Sequence, residues 1–184
     1  MARNRDGFWE WVKAIGIALL IAFIVRQFLF TNYVVYGESM MPTIQEGNRL
    51  IVSKINYNIT NPDRFDLIVF HANEKEDYIK RIIGLPGDKV EYRNDKLFIN
   101  GEPVEEPYLK PFKEGLEQGS QLTGDFTLKD ITDVERVPEG MIFVLGDNRL
   151  HSIDSRHIGF VPIEKVVGEV NLRYWPVSDF KVIE

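Results

Sequence analysis

Apolar residues in this chain of 184 fall into one long run and a series of short ones. The long run, Ala14 to Val25, carries no polar side chain and as a helix would reach about 18 Å. A bilayer core needs roughly 30 Å. Extending the helix from Trp9 to Phe30 supplies that length if Lys13 and Arg26 snorkel towards opposite surfaces. Trp9 and Trp11 at one end, with Phe28, Phe30 and Tyr33 at the other, suit interfacial belts. No small-residue cleavage site follows, so the segment reads as an uncleaved signal anchor and not as a removable signal peptide. The competing reading is an amphipathic or core helix. Arg3, Arg5 and Lys13 precede the run. By the positive-inside rule they keep the short N-terminus in the cytoplasm and the bulk of the chain outside. The expectation is a single-pass cell-membrane protein, with residues 1–30 holding the span, the lipid bilayer as one partner, and residues 31–184 extracytoplasmic.

From Tyr33 onward the pattern is that of β-structure. Arg49–Ser53, Asp66–His71, Tyr78–Leu85, Lys96–Asn100 and Met141–Leu145 are short apolar runs rich in β-branched residues. Turn signals separate them, among them Asn61-Pro62-Asp63, Pro86-Gly87-Asp88, Arg93-Asn94-Asp95, Asn100-Gly101 and Gly146-Asp147-Asn148. Beyond the anchor no segment keeps a helical period. The expected fold class is mainly β, an antiparallel and partly closed sheet domain. Between Glu105 and Val137 the apolar runs fade and Lys, Glu, Gly and Gln accumulate. This predicts a small inserted subdomain or cap at about 91–137.

Composition narrows the function. Apolar and charged fractions of 44% and 27% are those of a globular protein. A net charge of −6 with no basic stripe argues against nucleic acid as a partner. The absence of cysteine removes disulfides, thiolate catalysis and cysteine-based zinc sites.

Three segments could carry chemistry. Gly37-Glu38-Ser39-Met40-Met41-Pro42 flanks a serine with turn formers, so Ser39 can be presented on a loop. Two methionines there are unusual for a solvated loop and suggest an apolar groove or a membrane-facing surface. In Tyr78-Ile79-Lys80-Arg81 a strand puts Tyr78, Lys80 and Ile82 on one face and Ile79, Arg81 and Ile83 on the other. One of the two cations must then look inward or sit at an edge. A desolvated lysine loses its proton more easily, by roughly two units from an ordinary pKa of about 10.4 if it is to be neutral near pH 8. From the strand pattern alone, a lysine reaching water is the commoner outcome. The third segment, Gly146 to Gly159, is the densest polar cluster and follows an apolar strand. Asp147, His151 and His157 there could be read as metal ligands, although no complementary Asp-x-His motif accompanies them. A Ser–His–Asp triad through His151 or His157 is a further option.

Taken together these segments resemble bacterial type I signal peptidases. The motifs are Gly-x-Ser-Met-x-Pro-Thr at Gly37–Thr43, Arg-x-Asp at Arg64–Asp66, Tyr-Ile-Lys-Arg-x-Ile-Gly-Leu-Pro-Gly-Asp at Tyr78–Asp88, and Gly-Asp-Asn-Arg-x-x-Ser-x-Asp-Ser-Arg at Gly146–Arg156. They stand in the family's order behind an N-terminal anchor, and their spacing is similar to that of the compact Gram-positive members. The resemblance implies a membrane-anchored serine endopeptidase that removes signal peptides from exported preproteins after small residues, with no cofactor and no metal. It implies Ser39 as nucleophile, Lys80 as general base and Ser152 as the residue orienting the lysine amine. Asp154, with Arg156, and Asp147 would support this cluster. Substrate would lie along Val35, Met40, Ile44, Tyr78 and Ile79, with Tyr33, Leu50, Val69 and Asp77 nearby. Where enterobacterial members carry a second serine, this chain has Gly37. The oxyanion hole is then expected from main-chain N–H groups, those of Gly37 and Ser39.

Overall fold

The computed structural model of the protein describes residues 4–54, 62–117 and 119–183. Arg3 and Asn61 lie outside the described residues, as do the side chains of Arg5, Arg26 and Phe28. An N-terminal helix, Asn4–Phe28, leads directly into sheet. The strands are β1 (Phe30–Val34), β2 (Arg49–Ser53), β3 (Leu67–His71), β4 (Asp77–Gly84), β5 (Val90–Arg93) and β6 (Lys96–Ile99). They continue with β7 (Glu102–Val104), β8 (Phe126–Thr127), β9 (Met141–Leu145), β10 (Val161–Pro162), β11 (Val166–Trp175) and β12 (Lys181–Val182).

Two antiparallel sheets result. The larger runs β1-β2-β11-β3-β4-β9-β10, with β12 added beside β11. The smaller runs β7-β6-β5-β8. The mainly-β antiparallel expectation holds. Arg49–Ser53 and Met141–Leu145 form where the apolar runs place them. The longest strand, β11, was not anticipated, and its irregularity explains why. Its pairing with β3 shifts register between Val166 and Gly168, and with β2 between Val170 and Leu172 and between Arg173 and Trp175. Each shift breaks the two-residue alternation by which a strand is recognised. Gly168 permits the first, because a Cβ there would run into the carbonyl oxygen of Ser53.

Three apolar clusters divide the interior. Leu67 and Val69 of β3 join Val35, Met40, Ile44, Leu50 and Val52 in one. Ile68 and Phe70, the alternate residues of the same strand, join Ile82, Ile142 and Val144 in another. The third lies where the sheets meet, with Ile83, Val90, Tyr92, Leu97, Phe143 and Leu145. β3 and the adjoining β4 are therefore covered on both faces, which sets up the environment of Lys80.

The membrane-spanning expectation is not confirmed. Among the described residues no helix is long and apolar enough to cross a membrane. Glu10 and Lys13 interrupt the N-terminal half of the helix, so its continuous apolar run begins only at Ala14. The helix also ends at Phe28; Phe30 and Tyr33, expected at its interfacial end, belong to β1. Its apolar side chains nonetheless stand free, with Trp9, Trp11, Ile15, Ile17, Leu19, Leu20, Ile21 and Phe23 all more than half exposed.

A methyl group at residue 168 should force β11 away from β2. Gly168→Ala is expected to lower stability by about 1–3 kcal/mol, read as a lower midpoint in thermal or urea unfolding of the purified protein.

Candidate active site

The Ser39 turn is held by its apolar neighbours. Met40 and Ile44 are buried in the β1–β2–β3 cluster, and the Ile44 N–H donates to the Met40 carbonyl at 2.9 Å. Gly37 enters the turn at φ +85°, a conformation open to glycine and strained for other residues. Ser39 is thus fixed from below while its hydroxyl stays accessible. Met40 packs under the turn as a core residue and also lines the cleft beside Ser39, which fits the apolar-groove reading of the two methionines and not the membrane-facing one.

Lys80 lies opposite Ile68 on β4 and is 3% exposed. Its Nζ is 2.8 Å from Ser39 Oγ, donates to the Ile79 carbonyl at 3.0 Å, and lies 5.1 Å from the centre of the Tyr78 ring. Burial dominates its titration and lowers its pKa to about 8, against the opposing pull of Asp154 and Asp147. Arg81, on the other face, is equally buried. The expectation that one cation looks inward or sits at an edge is therefore exceeded, because β4 is covered on both sides. Arg81 is a bidentate partner of Asp147, at 2.9 and 2.7 Å, and stacks 4.0 Å over Tyr108. One strand carries two buried cations; the arginine is paired, and the lysine has only a hydroxyl and a carbonyl.

The Gly146–Ile158 segment closes over this pair. Asp147 and Asp154 are both fully buried. Burial would raise the Asp154 carboxyl, but Arg156, bonded at 2.8 Å through Nε and Nη2, and the Gly146 N–H at 3.0 Å hold it below its ordinary value. Asp154 also caps the short helix Ser155–Ile158. Ser152 is buried beside this carboxylate and its hydroxyl helps hold the Asp154 pKa down, while the expected bond to the Lys80 amine is not made. Gly146 packs so tightly that a Cβ there would meet Ser152 Oγ and would lie 2.6 Å from the Ser39 carbonyl oxygen. Asn148, which the sequence reading gave no role, donates its N–H to the Ser39 carbonyl at 3.0 Å and its Nδ2 to the Glu38 carbonyl at 3.1 Å. Its place within the Gly-Asp-Asn-Arg motif was the available signal.

A cleft of about 300 Å³ opens beside Ser39 and Lys80. Tyr33, Val35, Met40, Asp77, Tyr78 and Ile79 line it, joined by Tyr36, Glu38, His151 and Ile153. Ile44, expected along the substrate path, and Leu50 and Val69, expected near it, are fully buried and pack in one cluster with Val35 and Met40. Asp77, in the lining, accepts from the Tyr33 hydroxyl at 2.8 Å and lies 2.6 Å from His71 Nδ1. A larger groove of about 840 Å³, around Pro42, Arg64, Tyr108 and Arg173, contains neither Ser39 nor Lys80. The smaller cleft is the one with reactive groups. No histidine bonds Ser39, and among the described residues no group of His, Asp or Glu could hold a metal ion.

A buried amine beside an accessible hydroxyl can carry acyl transfer without histidine or metal. Comparison with known proteins fits that chemistry. Residues 8–175 match the family model described as signal peptidase, peptidase S26. The chain belongs to the S26 signal peptidase family. It is 57% identical over 177 residues to signal peptidase I of Bacillus caldolyticus, covering 96% of this chain and 94% of that one. It is 44% identical over 176 residues to signal peptidase IB of Staphylococcus aureus (strain Mu50 / ATCC 700699), covering 94% and 92%. A crystal structure of a signal peptidase I from Enterococcus faecalis V583 superimposes with a TM-score of 0.58 at 47% identity, over 60% of this chain and 97% of that one. As a member of this family the chain is a serine peptidase, and the family's activity is the removal of signal peptides.

The buried amine has a thermodynamic signature. Lys80 titrates at about 8 in the fold and at about 10.4 in an unfolded chain. Between those values the unfolded chain holds the proton and the folded one does not, so stability rises with pH. Below pH 8 both states are protonated and the fold carries the whole penalty, about 3 kcal/mol. Lys80→Met should therefore be more stable than the parent at pH 6.5, with the advantage fading towards pH 10.5. Unfolding midpoints across that range measure it.

Proposed function

We propose that the protein is a membrane-anchored endopeptidase that cleaves exported preproteins after small residues, with Ser39 as nucleophile and Lys80 as its general base. The observation that carries this reading is the 2.8 Å approach of a desolvated amine to an accessible hydroxyl. Neutral Lys80 takes the Ser39 proton as Oγ bonds to the scissile carbonyl carbon. The protonated amine then gives that proton to the departing nitrogen as the C–N bond breaks. Water attacks the acyl ester with Lys80 again accepting the proton, and Ser39 is regenerated. The oxyanion is held by main-chain donors. Among the described residues the N–H groups of Gly37 and Ser39 donate to no other acceptor, which supports that role.

Asp147, Asp154 and Arg156 keep the loop in place and their charges paired. Ser152, buried beside Asp154, orients the Lys80 amine during the reaction. The substrate lies as an extended strand in the cleft. β1 is an edge strand, and the Asp77–Lys80 half of β4 pairs with β3 on one side only, since pairing with β9 begins at Arg81. A peptide can use such open edges for register, while Val35, Met40, Tyr78 and Ile79 leave room only for small side chains.

The N-terminal helix anchors the protein, its exposed apolar residues in lipid, with the N-terminus in the cytoplasm and residues 31–184 outside as the peptidase domain. Among the described residues nothing covers the eight bulky apolar side chains of this helix, and a bilayer is a medium that would. Tethering enzyme and preprotein to one surface raises their effective concentration.

Cleavage of a purified preprotein by the detergent-solubilised protein, with N-terminal sequencing of the product, tests the chemistry. The parent should cut after a small-x-small sequence and both Ser39→Ala and Lys80→Ala should be silent; full activity in either variant rules out the dyad. The rate should climb from pH 6 to pH 9 with an apparent pKa of about 8, because only the neutral amine is a base. For the anchor, the full chain should resist alkaline carbonate extraction of membranes while a chain lacking residues 1–30 is released.

A further inference from the structure

The fold contains a second buried ion pair that the reaction described above does not use. Arg149 and Glu106 meet at 2.5 Å with side chains 0% and 3% exposed. Arg149 also donates to the Tyr92 hydroxyl at 2.7 Å and to Thr123 Oγ1 at 3.0 Å. Tyr92 and Tyr108 each donate to Glu106 at 2.7 Å. Every member apart from Arg149 belongs to the smaller sheet or its connections, between Val90 and Thr127. Arg149 alone comes from the loop over Ser39.

Buried ion pairs are poor stabilisers, because the cost of desolvating two charges offsets most of their attraction. An apolar pair of the same volume is often as stable or more so. What the charged pair supplies, and an apolar pair does not, is a directional hold on a backbone. Arg149 Nε donates to the Gly146 carbonyl at 3.0 Å, and the Arg149 carbonyl accepts from Arg156 Nη2 at 2.8 Å. Between those fixed points, Asp147 engages Arg81 and Asn148 binds the carbonyls of Glu38 and Ser39. The guanidinium therefore sets the position of the strand of loop that touches the nucleophile's own peptide.

We propose that Glu106 is a positioning residue for cleavage, acting through Arg149 and Asn148 on the peptide of Ser39. This makes the smaller sheet part of the catalytic apparatus instead of a separate cap. The proposal rests on the reading of Ser39 and Lys80 as nucleophile and base, so parent and Ser39→Ala are assayed alongside.

The test separates position from stability. Glu106→Leu alone strands a buried arginine and should lower both Tm and kcat. The double variant Glu106→Leu/Arg149→Met removes both charges and should recover part of the Tm that Glu106→Leu loses, the Tyr92 and Tyr108 hydroxyls being left without their acceptor. Its kcat for preprotein cleavage should stay about a hundredfold low, the order of loss expected when a reacting group is misplaced by an ångström. KM should match the parent, since no cleft residue changes. Recovery of kcat together with Tm would overturn the proposal by making the pair merely structural. Should the double variant fail to fold, Tyr92→Phe decides. It removes the hydroxyl that both partners use and leaves the ion pair, and kcat should fall severalfold at unchanged KM; a parent-like kcat there refutes the brace. An inactive parent or an active Ser39→Ala would instead refute the dyad reading, an outcome distinct from either of these.

Discussion

Holding an amine out of water is the constraint that organises this molecule. A lysine with 3% exposure and no carboxylate in contact is costly, and the fold must enclose it on every side to keep it so. β4 provides the position because both its faces are buried: Ile82, on the Lys80 face, belongs to the cluster with Ile68, Phe70 and Val144, and Ile79, on the other, packs against the β1–β2–β3 cluster. The Ser39 turn supplies the last wall. The Ser39 hydroxyl and the Lys80 amine are thus brought together by the same packing that perturbs the amine. A looser fit would rehydrate Lys80 and return its proton.

Carboxylates are the hazard to this arrangement, since an unpaired acid beside Lys80 would stabilise the ammonium. Asp147 and Asp154 do pull its pKa upward, but each is engaged by an arginine, Arg81 and Arg156 respectively. Glu106 is engaged by Arg149 in the same way. Three fully or mostly buried acids near the site are therefore committed to guanidinium groups, which stay charged at any working pH. Lys80 is left without a committed counterion, and burial lowers its pKa to about 8. The arginines keep the loop in place and also keep its acids from acting as counterions to the amine.

How far this could be read from sequence depends on whether a feature is local. β2 and β9 follow from compact apolar runs, and the Ser39 turn from its glycine and proline. β11 escaped because its bulges put successive apolar residues out of phase. The double coverage of β4 could not be read from its own residues; it arises from strands distant in sequence, and so the strand pattern alone favoured a hydrated Lys80. Ile44 is a different case. The family resemblance puts it along the proposed substrate path, yet it is fully buried, and only the fold shows that it packs with Leu50, Val69, Val35 and Met40. Glu106 had no signal at all, since its partner lies forty-three positions away with nothing in either segment pointing to the other.

The place of Ser152 follows from the same physics. Gly146 has no side chain, and a Cβ there would meet both Ser152 and the Ser39 carbonyl oxygen. The Ser152 hydroxyl is buried and helps hold the neighbouring Asp154 carboxylate below its ordinary pKa. Lys80 bonds to Ser39 and to the Ile79 carbonyl. In the proposed mechanism acylation takes the first of those bonds away, and Ser152 is the hydroxyl proposed to engage the amine at that stage. A bond made in the intermediate and not before it lowers the cost of reaching it.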